Sequence, residues 1–204
     1  MMIIIFMYIT AMQSKPSRRE ATHERILEVA SLALRRNGYS GVGVADVMKQ
    51  AGLTHGGFYA HFPSRDALLA EAIARAGRNN TEGTMQRIAR KQAGGKSALR
   101  VLIEDYLSEA HLRDAEGGCV VAALSSEMPR QSPELRQAAS ERVRSLVNLV
   151  SHALPPGGTS DQAMAIAGSL VGSLQLARTL GSNAQGKAML AAARNALLAQ
   201  YAPD

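Results

Sequence analysis

The chain is predicted to be all-α, and three observations carry that prediction. Aromatic residues make up 4% of its 204 residues and tryptophan is absent, while alanine, leucine and valine abound, a balance that suits packed helices over sheets. Apolar residues recur at i, i+3 and i+4 through most segments, and none shows the convincing alternation of a half-buried strand. Helix stops and starts separate those segments: Asn37-Gly38, Gly52, Pro63-Ser64, Gly94-Gly95, Met128-Pro129 and Pro155-Pro156-Gly157-Gly158. The expected organisation is an arm over 1–20, a three-helix domain over 21–79, and a second helical domain over 80–204.

The arm opens with nine apolar residues, Met1 to Ile9, too few to span a membrane. No basic residue precedes them and no small-residue cleavage site follows, so neither secretion nor a membrane partner is expected. A translation start truly at Met12, an arm packing on a neighbouring chain, and membrane association remain open readings. Residues 14–20 are basic. Arg18 and Arg19 there can reach a phosphate or a minor groove, or fray in solvent. A helix follows over 21–37 with Ile26, Val29, Ala30 and Ala33 inside.

Residues 43–69 are the most informative stretch. A short helix from Ala45 to Ala51 shares an apolar face of Val44, Val47 and Met48. Asp46 lies where the helix dipole favours a carboxylate, and Gly52 suits the left-handed residue that ends a helix. Thr54 is positioned to cap a second short helix that begins near His55. Gly56 and Gly57 weaken that helix but remove side chains that would hold the backbone away from a phosphodiester. Phe58 and Phe62, four apart, can anchor it, leaving Tyr59 and His61 outward. Pro63 breaks it, Ser64 caps the next helix, and Arg65 opens it. Two short helices about a tight turn are the form that seats one helix in the major groove. The formal charge of +6 fits, because eight Lys/Arg face only four acids between residues 14 and 65.

From Thr22 to Ala72 the order and spacing of Ile26-Leu27-Glu28-Val29-Ala30, Asn37-Gly38-Tyr39, Val44-Ala45-Asp46-Val47, Ala51-Gly52-Leu53-Thr54, Gly56, Phe58-Tyr59, His61-Phe62 and Ser64-Arg65 resemble the DNA-binding domain of TetR-family transcriptional regulators. The resemblance implies a dimeric regulator with a helix-turn-helix DNA-binding domain over 21–79, whose short helix enters the major groove of double-stranded operator DNA, and an effector-binding and dimerisation domain over 80–204. Carried over by position, Thr54, His55, Gly56, Tyr59, His61 and Arg65 touch DNA or frame the contact. Arg65 stands where the family usually has lysine. Gly57 replaces a frequent serine or threonine, and Gly43 a frequent threonine. With Val44, Arg18 and Arg19, these form the expected DNA-facing set.

The remaining chain reads as helices over 81–91, 97–112, 119–127, 132–154, 160–180 and 187–201. In the helix over 160–180, Ala163, Ala167, Leu170, Leu174 and Ala177 form one stripe. Leu190 and Leu197 of the last helix accompany it. This stripe is either intramolecular core or, as the resemblance favours, the four-helix interface of a homodimer. Cys119 follows Gly117-Gly118 near a helix start. It is either a thiol activated there or a small buried apolar residue. As the only cysteine it excludes an internal disulfide and suits a reducing cytoplasm. A small apolar or electrophilic effector would lie among Leu102, Tyr106, Cys119, Leu124, Met128, Leu146, Val150, Leu170 and Leu174, residues that would serve equally as core.

His23, His55, His61, His111 and His152 are scattered and make no metal-ligand spacing. No phosphate loop or nucleophile elbow is present, so neither metal, cofactor nor catalysis is expected. The function implied is an effector- or redox-responsive regulator, most simply a repressor released from a palindromic operator. On residues alone, an activator remains open, as does a helical small-molecule-binding protein or enzyme with a structural helix-turn-helix.

Overall fold

The computed structural model describes residues 17–203, and all regular structure in them is helical. The apolar segment and Lys15 lie outside the described residues. The elements are α1 (Arg18–Asn37), α2 (Val44–Gln50), α3 (His55–Ala60, wound as a 3₁₀ helix), α4 (Arg65–Gln92), α5 (Ala98–Tyr106), α6 (Glu109–Arg113), α7 (Val120–Leu124), α8 (Pro133–Ala153), α9 (Ser160–Leu180) and α10 (Ala184–Tyr201).

α1 begins three residues before its expected start. Ser17 and Glu20 close a capping box: Ser17 Oγ accepts from the Glu20 amide (3.2 Å) and Glu20 carboxylate from the Ser17 amide (2.7 Å). Arg18 and Arg19, expected in a flexible arm, therefore occupy the first turn of α1. α2 ends in a Schellman turn. Gly52, at φ +72°, donates to the Lys49 carbonyl and Leu53 donates to that of Met48. Leu53 is half-buried and packs against the core, which holds the corner between α2 and α3.

The larger correction is α4. The helices expected to end near Asn79 and to resume at Thr81 are one helix of 28 residues. Gly77 and Gly83 do not interrupt it, since neither has a positive φ. Its second half looked weakly periodic because only Thr84 and Ile88 turn inward there. Arg87 and Lys91 fasten that half to α5 by pairing with Asp105 at 3.0 and 2.6 Å. The helix expected over 97–112 breaks at Leu107. Ser108 then accepts from the His111 amide (3.1 Å) and starts α6.

α4 lies along α8, which packs on α9, and α9 pairs with α10. α9 is long and apolar enough to cross a membrane by length and composition, but its Ala163, Ile166, Leu170 and Leu174 edge is buried in this layer. Three polar contacts tie α1 and the Tyr39 that follows it to the larger domain. Arg36 makes a two-pronged pair with Glu116 (2.7 and 2.6 Å), Arg35 donates to the Gly118 carbonyl (3.3 Å), and the Tyr39 amide donates to Glu127 (3.1 Å). Gly38, at φ +70°, is required here, since a Cβ would stand 2.5 Å from the Glu127 carboxylate.

Candidate functional site

Phe58 and Phe62 are buried, stack on each other with centroids 5.9 Å apart, and hold α3 against the DNA-module core as expected. Thr54, His55, Gly56, Tyr59 and Ala60 are exposed, and Tyr59 is 73% exposed. Val44 is half-buried at the start of α2. Thr54 occupies the cap position, yet its hydroxyl makes no cap bond. In the tighter 3₁₀ winding the Gly57 amide bonds the Thr54 carbonyl instead, so the hydroxyl stays available to a partner. A Cβ at Gly56 would meet nothing, and one at Gly57 would meet only ordinary contacts. The fold thus does not demand either glycine, whereas close approach of an external backbone would.

Two residues of the expected DNA-facing set, Arg65 and Arg19, have internal duties, and His61, expected to point outward, is half-buried. Arg65 donates from Nε to the Val42 carbonyl (3.0 Å) and from Nη2 to that of Tyr39, which clamps α4 to the segment before α2. It was expected to hold phosphate. Its guanidinium is half-buried and committed inward because two free carbonyls flank the start of α4. Arg19 donates to the Ala60 carbonyl (3.0 Å) at the end of α3. His61 has its Nδ1 buried with no partner among the described residues, 6.0 Å by centroid from His23. Desolvation first, then His23 and Arg19, lower its pKa, so near neutral pH it serves as an imidazole rather than a cation. Arg18 remains exposed on α1.

A second feature is a cleft of about 570 Å³ between α1, α4, α5, α6 and the loop over 114–118. Of the nine residues expected around an effector, Leu102 and Tyr106 line it. Cys119 and Leu146 border a separate void of about 20 Å³. Leu124, Met128, Val150, Leu170 and Leu174 are core. The cleft is about as polar as it is apolar, where an apolar one was expected: Glu28, Arg35, Arg75, Asn79, Asn80, Arg87, Asp105, His111 and Asp114 contribute to its walls beside Leu32, Leu102 and Tyr106.

Cys119 is 4% exposed, and α7 behind it has five residues, too few for much dipole. Its surroundings are more telling. Its amide donates to His111 Nε2 (3.0 Å), and His111 Nδ1 donates to the Tyr106 carbonyl (2.8 Å), which fixes a neutral tautomer. Burial is the main cause that lowers the His111 pKa. The Tyr106 hydroxyl and the Arg35 and Arg178 guanidinium groups lie close enough to interact with the Cys119 side chain. Arg178 is held by the carbonyls of His111 (2.9 Å) and Asp114 (3.0 Å). Sequence reading missed Arg35, His111 and Arg178. Arginine in the last turn of a helix is ordinary, and His111 meets Cys119 only because α5 breaks.

Residues 26–72 match the family model described as bacterial regulatory proteins of the tetR family, and residues 95–193 that of a tetracyclin repressor-like C-terminal domain. The chain belongs to the TetR family. It is a helix-turn-helix transcriptional regulator and not an enzyme, which removes the reading in which the motif is merely structural. An uncharacterised HTH-type regulator of Mycobacterium tuberculosis is 28% identical over 170 residues, 78% of this chain and 85% of that one. The transcriptional repressor NemR of Escherichia coli is 26% identical over 172 residues, 81% and 84% of the two chains. The fold is that of reduced NemR (TM-score 0.70, 21% identity, 86% of this chain and 96% of that one). It is equally that of a TetR-family regulator from Agrobacterium tumefaciens (0.72, 20%, 90% and 99%).

Placed in a TetR-family chain, the expected dimer residues Ala163, Ala167, Leu170, Leu174, Ala177, Leu190 and Leu197 need correction. All are buried within the protomer. α9 carries apolar residues on two sides, and Ala163, Ile166, Ala167, Leu170, Leu174 and Ala177 turn inward. The outward stripe is Met164, Gly168, Gly172, Leu176 and Leu180, each four residues on from the last. Met164 and Leu176 are more than half exposed, and a Cβ at either glycine would meet nothing. Ala188, Ala192 and Ala196 form a matching exposed stripe on α10.

Proposed function

We propose that this regulator is a homodimeric repressor that grips a palindromic operator through two copies of α2 and α3 and releases it when an effector occupies the domain junction or reacts at Cys119. The observation that carries the proposal is α3: a short helix with a buried aromatic anchor, an exposed Thr54-His55-Tyr59 face and two glycines the fold does not require. Thr54 and His55 are the base-reading candidates, while Tyr59 and Arg18 meet phosphates. Arg65 and Arg19 act by holding the module rigid. A relative named as a repressor, NemR, supports the sign of regulation. A chain acting on chromosomal DNA with a lone cysteine works in the cytoplasm.

Release follows from the contacts that tie α1 to the larger domain. A ligand that favours another spacing of Arg36 from Glu116, or of Tyr39 from Glu127, moves the reading module relative to its twin. The test is operator binding by Tyr59→Ala and Thr54→Ala over a range of salt. Tyr59→Ala is expected to weaken binding to all sequences and to flatten the salt dependence. Thr54→Ala is expected to relax preference at one base pair, by about 1–3 kcal/mol. Unchanged affinity in both variants rules out α3 as the reading helix.

A further inference from the structure

We propose that His111 is a proton-responsive positioning residue for the DNA-reading module, acting through the single peptide group that joins Gly118 to Cys119. That group is held from both sides. Its N–H donates to His111 Nε2 (3.0 Å), and its carbonyl accepts from Arg35 on α1 (3.3 Å). The loop over 114–118 carries a second hold on α1, the Glu116 carboxylate paired with Arg36 (2.7 and 2.6 Å). The loop is itself fixed at two ends. Arg178 of α9 holds the Asp114 carbonyl (3.0 Å) at its start, and His111 holds the Cys119 amide at its finish. A guanidinium keeps its charge across the working pH range, whereas an imidazole does not. The two ends therefore respond differently to acid, and the end that yields is the one bonded to Arg35.

That end has no slack. A Cβ at Gly118 would stand 2.7 Å from His111 Nε2, so the loop backbone lies directly on the ring. His111 Nδ1 already donates to the Tyr106 carbonyl (2.8 Å), so a second proton goes to Nε2 and points at the Cys119 N–H. Two donors cannot share that contact. The peptide turns away and takes its carbonyl from Arg35. The groups around the ring do not relieve this. Tyr106 of α5 packs its own ring at right angles to the imidazole (centroids 4.8 Å), with the Cys119 side chain beside its hydroxyl. Arg178 of α9 and Arg87 of α4 bring positive charge, and Asp114 opposes them. From α10, Lys187 is engaged by Glu109 (2.8 Å) and Arg194 by the Leu107 carbonyl (3.3 Å). Burial first, then the two arginines, favour the neutral ring, so acid selects a conformation in which His111 has let the loop go. With a released imidazole titrating near 6.5, that conformation gains at most about tenfold in population between pH 7.5 and 5.5. The effect on DNA rests on the function proposed above, while release of the loop does not.

Two measurements on the full chain at pH 7.5 and 5.5 test the two halves. The first is hydrogen exchange over residues 114–119, corrected for the intrinsic pH dependence of amide exchange. Opening is expected to rise by about five- to tenfold at the lower pH in the wild type and to stay within about twofold in His111→Gln, which keeps an acceptor and does not titrate. The second is affinity for a double-stranded fragment that the wild type selects from a random pool at pH 7.5. Acid is expected to weaken the wild type by about threefold or more relative to His111→Gln, within the tenfold ceiling. His23, His55 and His61 are present in both chains, so their own titration beside DNA cancels. Arg35→Met cuts the far side of the peptide. It should keep the acid-induced opening and lose the extra fall in affinity, and it carries the second comparison by itself if His111→Gln does not fold. Equal opening in the wild type and His111→Gln overturns the proposal, and so does an equal fall in affinity in the wild type and Arg35→Met. A wild type that selects no fragment sinks the DNA-reading function instead, and the exchange comparison still decides whether His111 holds the loop.

Discussion

At the scale of single residues, the site is governed by side chains held in one protonation state or one orientation. His111 shows the consequence for pH. Its ring donates to the Tyr106 carbonyl and accepts from the Cys119 amide, and a proton on Nε2 would abolish the second bond. Burial, Arg178 and Arg87 lower its pKa against the opposing pull of the Tyr106 carbonyl and Asp114. Because the folded pKa lies below the unfolded value of about 6.5, the unfolded chain binds more protons as pH falls below that value. Stability is therefore full above about pH 6.5 and declines below it. His61 adds to the decline, and the paired Glu109 and Glu116, whose pKa values are lowered, extend it into the carboxylate range. Urea unfolding at pH 7.5 and 5.5 is expected to show a clear loss in the wild type and a smaller one in His111→Gln. Equal losses in both would mean that His111 does not carry the dependence. Arg65 makes the complementary point. Its position was legible from the sequence, but its duty was not, because the Tyr39 and Val42 carbonyls that claim it precede it by more than twenty residues.

At the scale of elements, caps and periodicity placed most helices well. Ser132-Pro133 opens α8, and Thr159 with Gln162 closes a capping box at the start of α9. The failures share a cause. The break expected between Asn79 and Thr81 is absent: a glycine ends a helix only where the chain turns left-handed, as at Gly52, and neither Gly77 nor Gly83 has a positive φ. Ser17-x-x-Glu20 was a visible start signal whose effect is local. The break of α5 depends on Ser108 capping α6, which competes with continuing the helix. Core and cleft residues could not be separated either, since an amphipathic face looks the same whether it meets a neighbouring helix or a void.

The two glycines of α4 give a paired prediction. A Cβ at Gly77 would lie 2.2 Å from Arg142 Cδ, in the α4–α8 contact, whereas one at Gly83 would lie 3.3 Å from Arg87 Nη1, which need yield only a few tenths of an ångström. Gly83→Ala is expected to raise stability by about 0.5–1 kcal/mol through helix propensity. Gly77→Ala is expected to lower it by about 1–2 kcal/mol net, because overpacking outweighs that gain. Thermal unfolding followed by circular dichroism decides it. Similar stabilisation by both would show that Arg142 yields freely and that the α4–α8 seam is loose.

At the scale of the whole molecule, one protomer leaves a flat apolar surface on α9 and α10 and presents a reading helix of six residues. In the homodimer proposed above, a second copy completes both. A single short helix reaches few base edges, while a two-fold pair with half-sites about 34–36 Å apart doubles the contacts and fixes their register. The Met164, Gly168, Gly172, Leu176, Leu180 stripe has the profile for such pairing. Glycines at its centre permit close approach of backbones, and larger apolar residues at its ends interlock. Gly168→Leu isolates this role, because its Cβ position is open within the protomer and the fold has no reason to change. The substitution is expected to leave the helical signal intact and to weaken self-association by more than tenfold, as the added side chain props the two surfaces apart. Operator affinity should fall with it, and Gly168→Ala should give a smaller effect of the same sign. Sedimentation velocity measures the association and a mobility shift measures the binding. If Gly168→Leu stays as dimeric as the wild type, pairing runs through another surface. If it becomes monomeric yet keeps full operator affinity, then one copy of α3 suffices, and the geometric argument for paired half-sites fails.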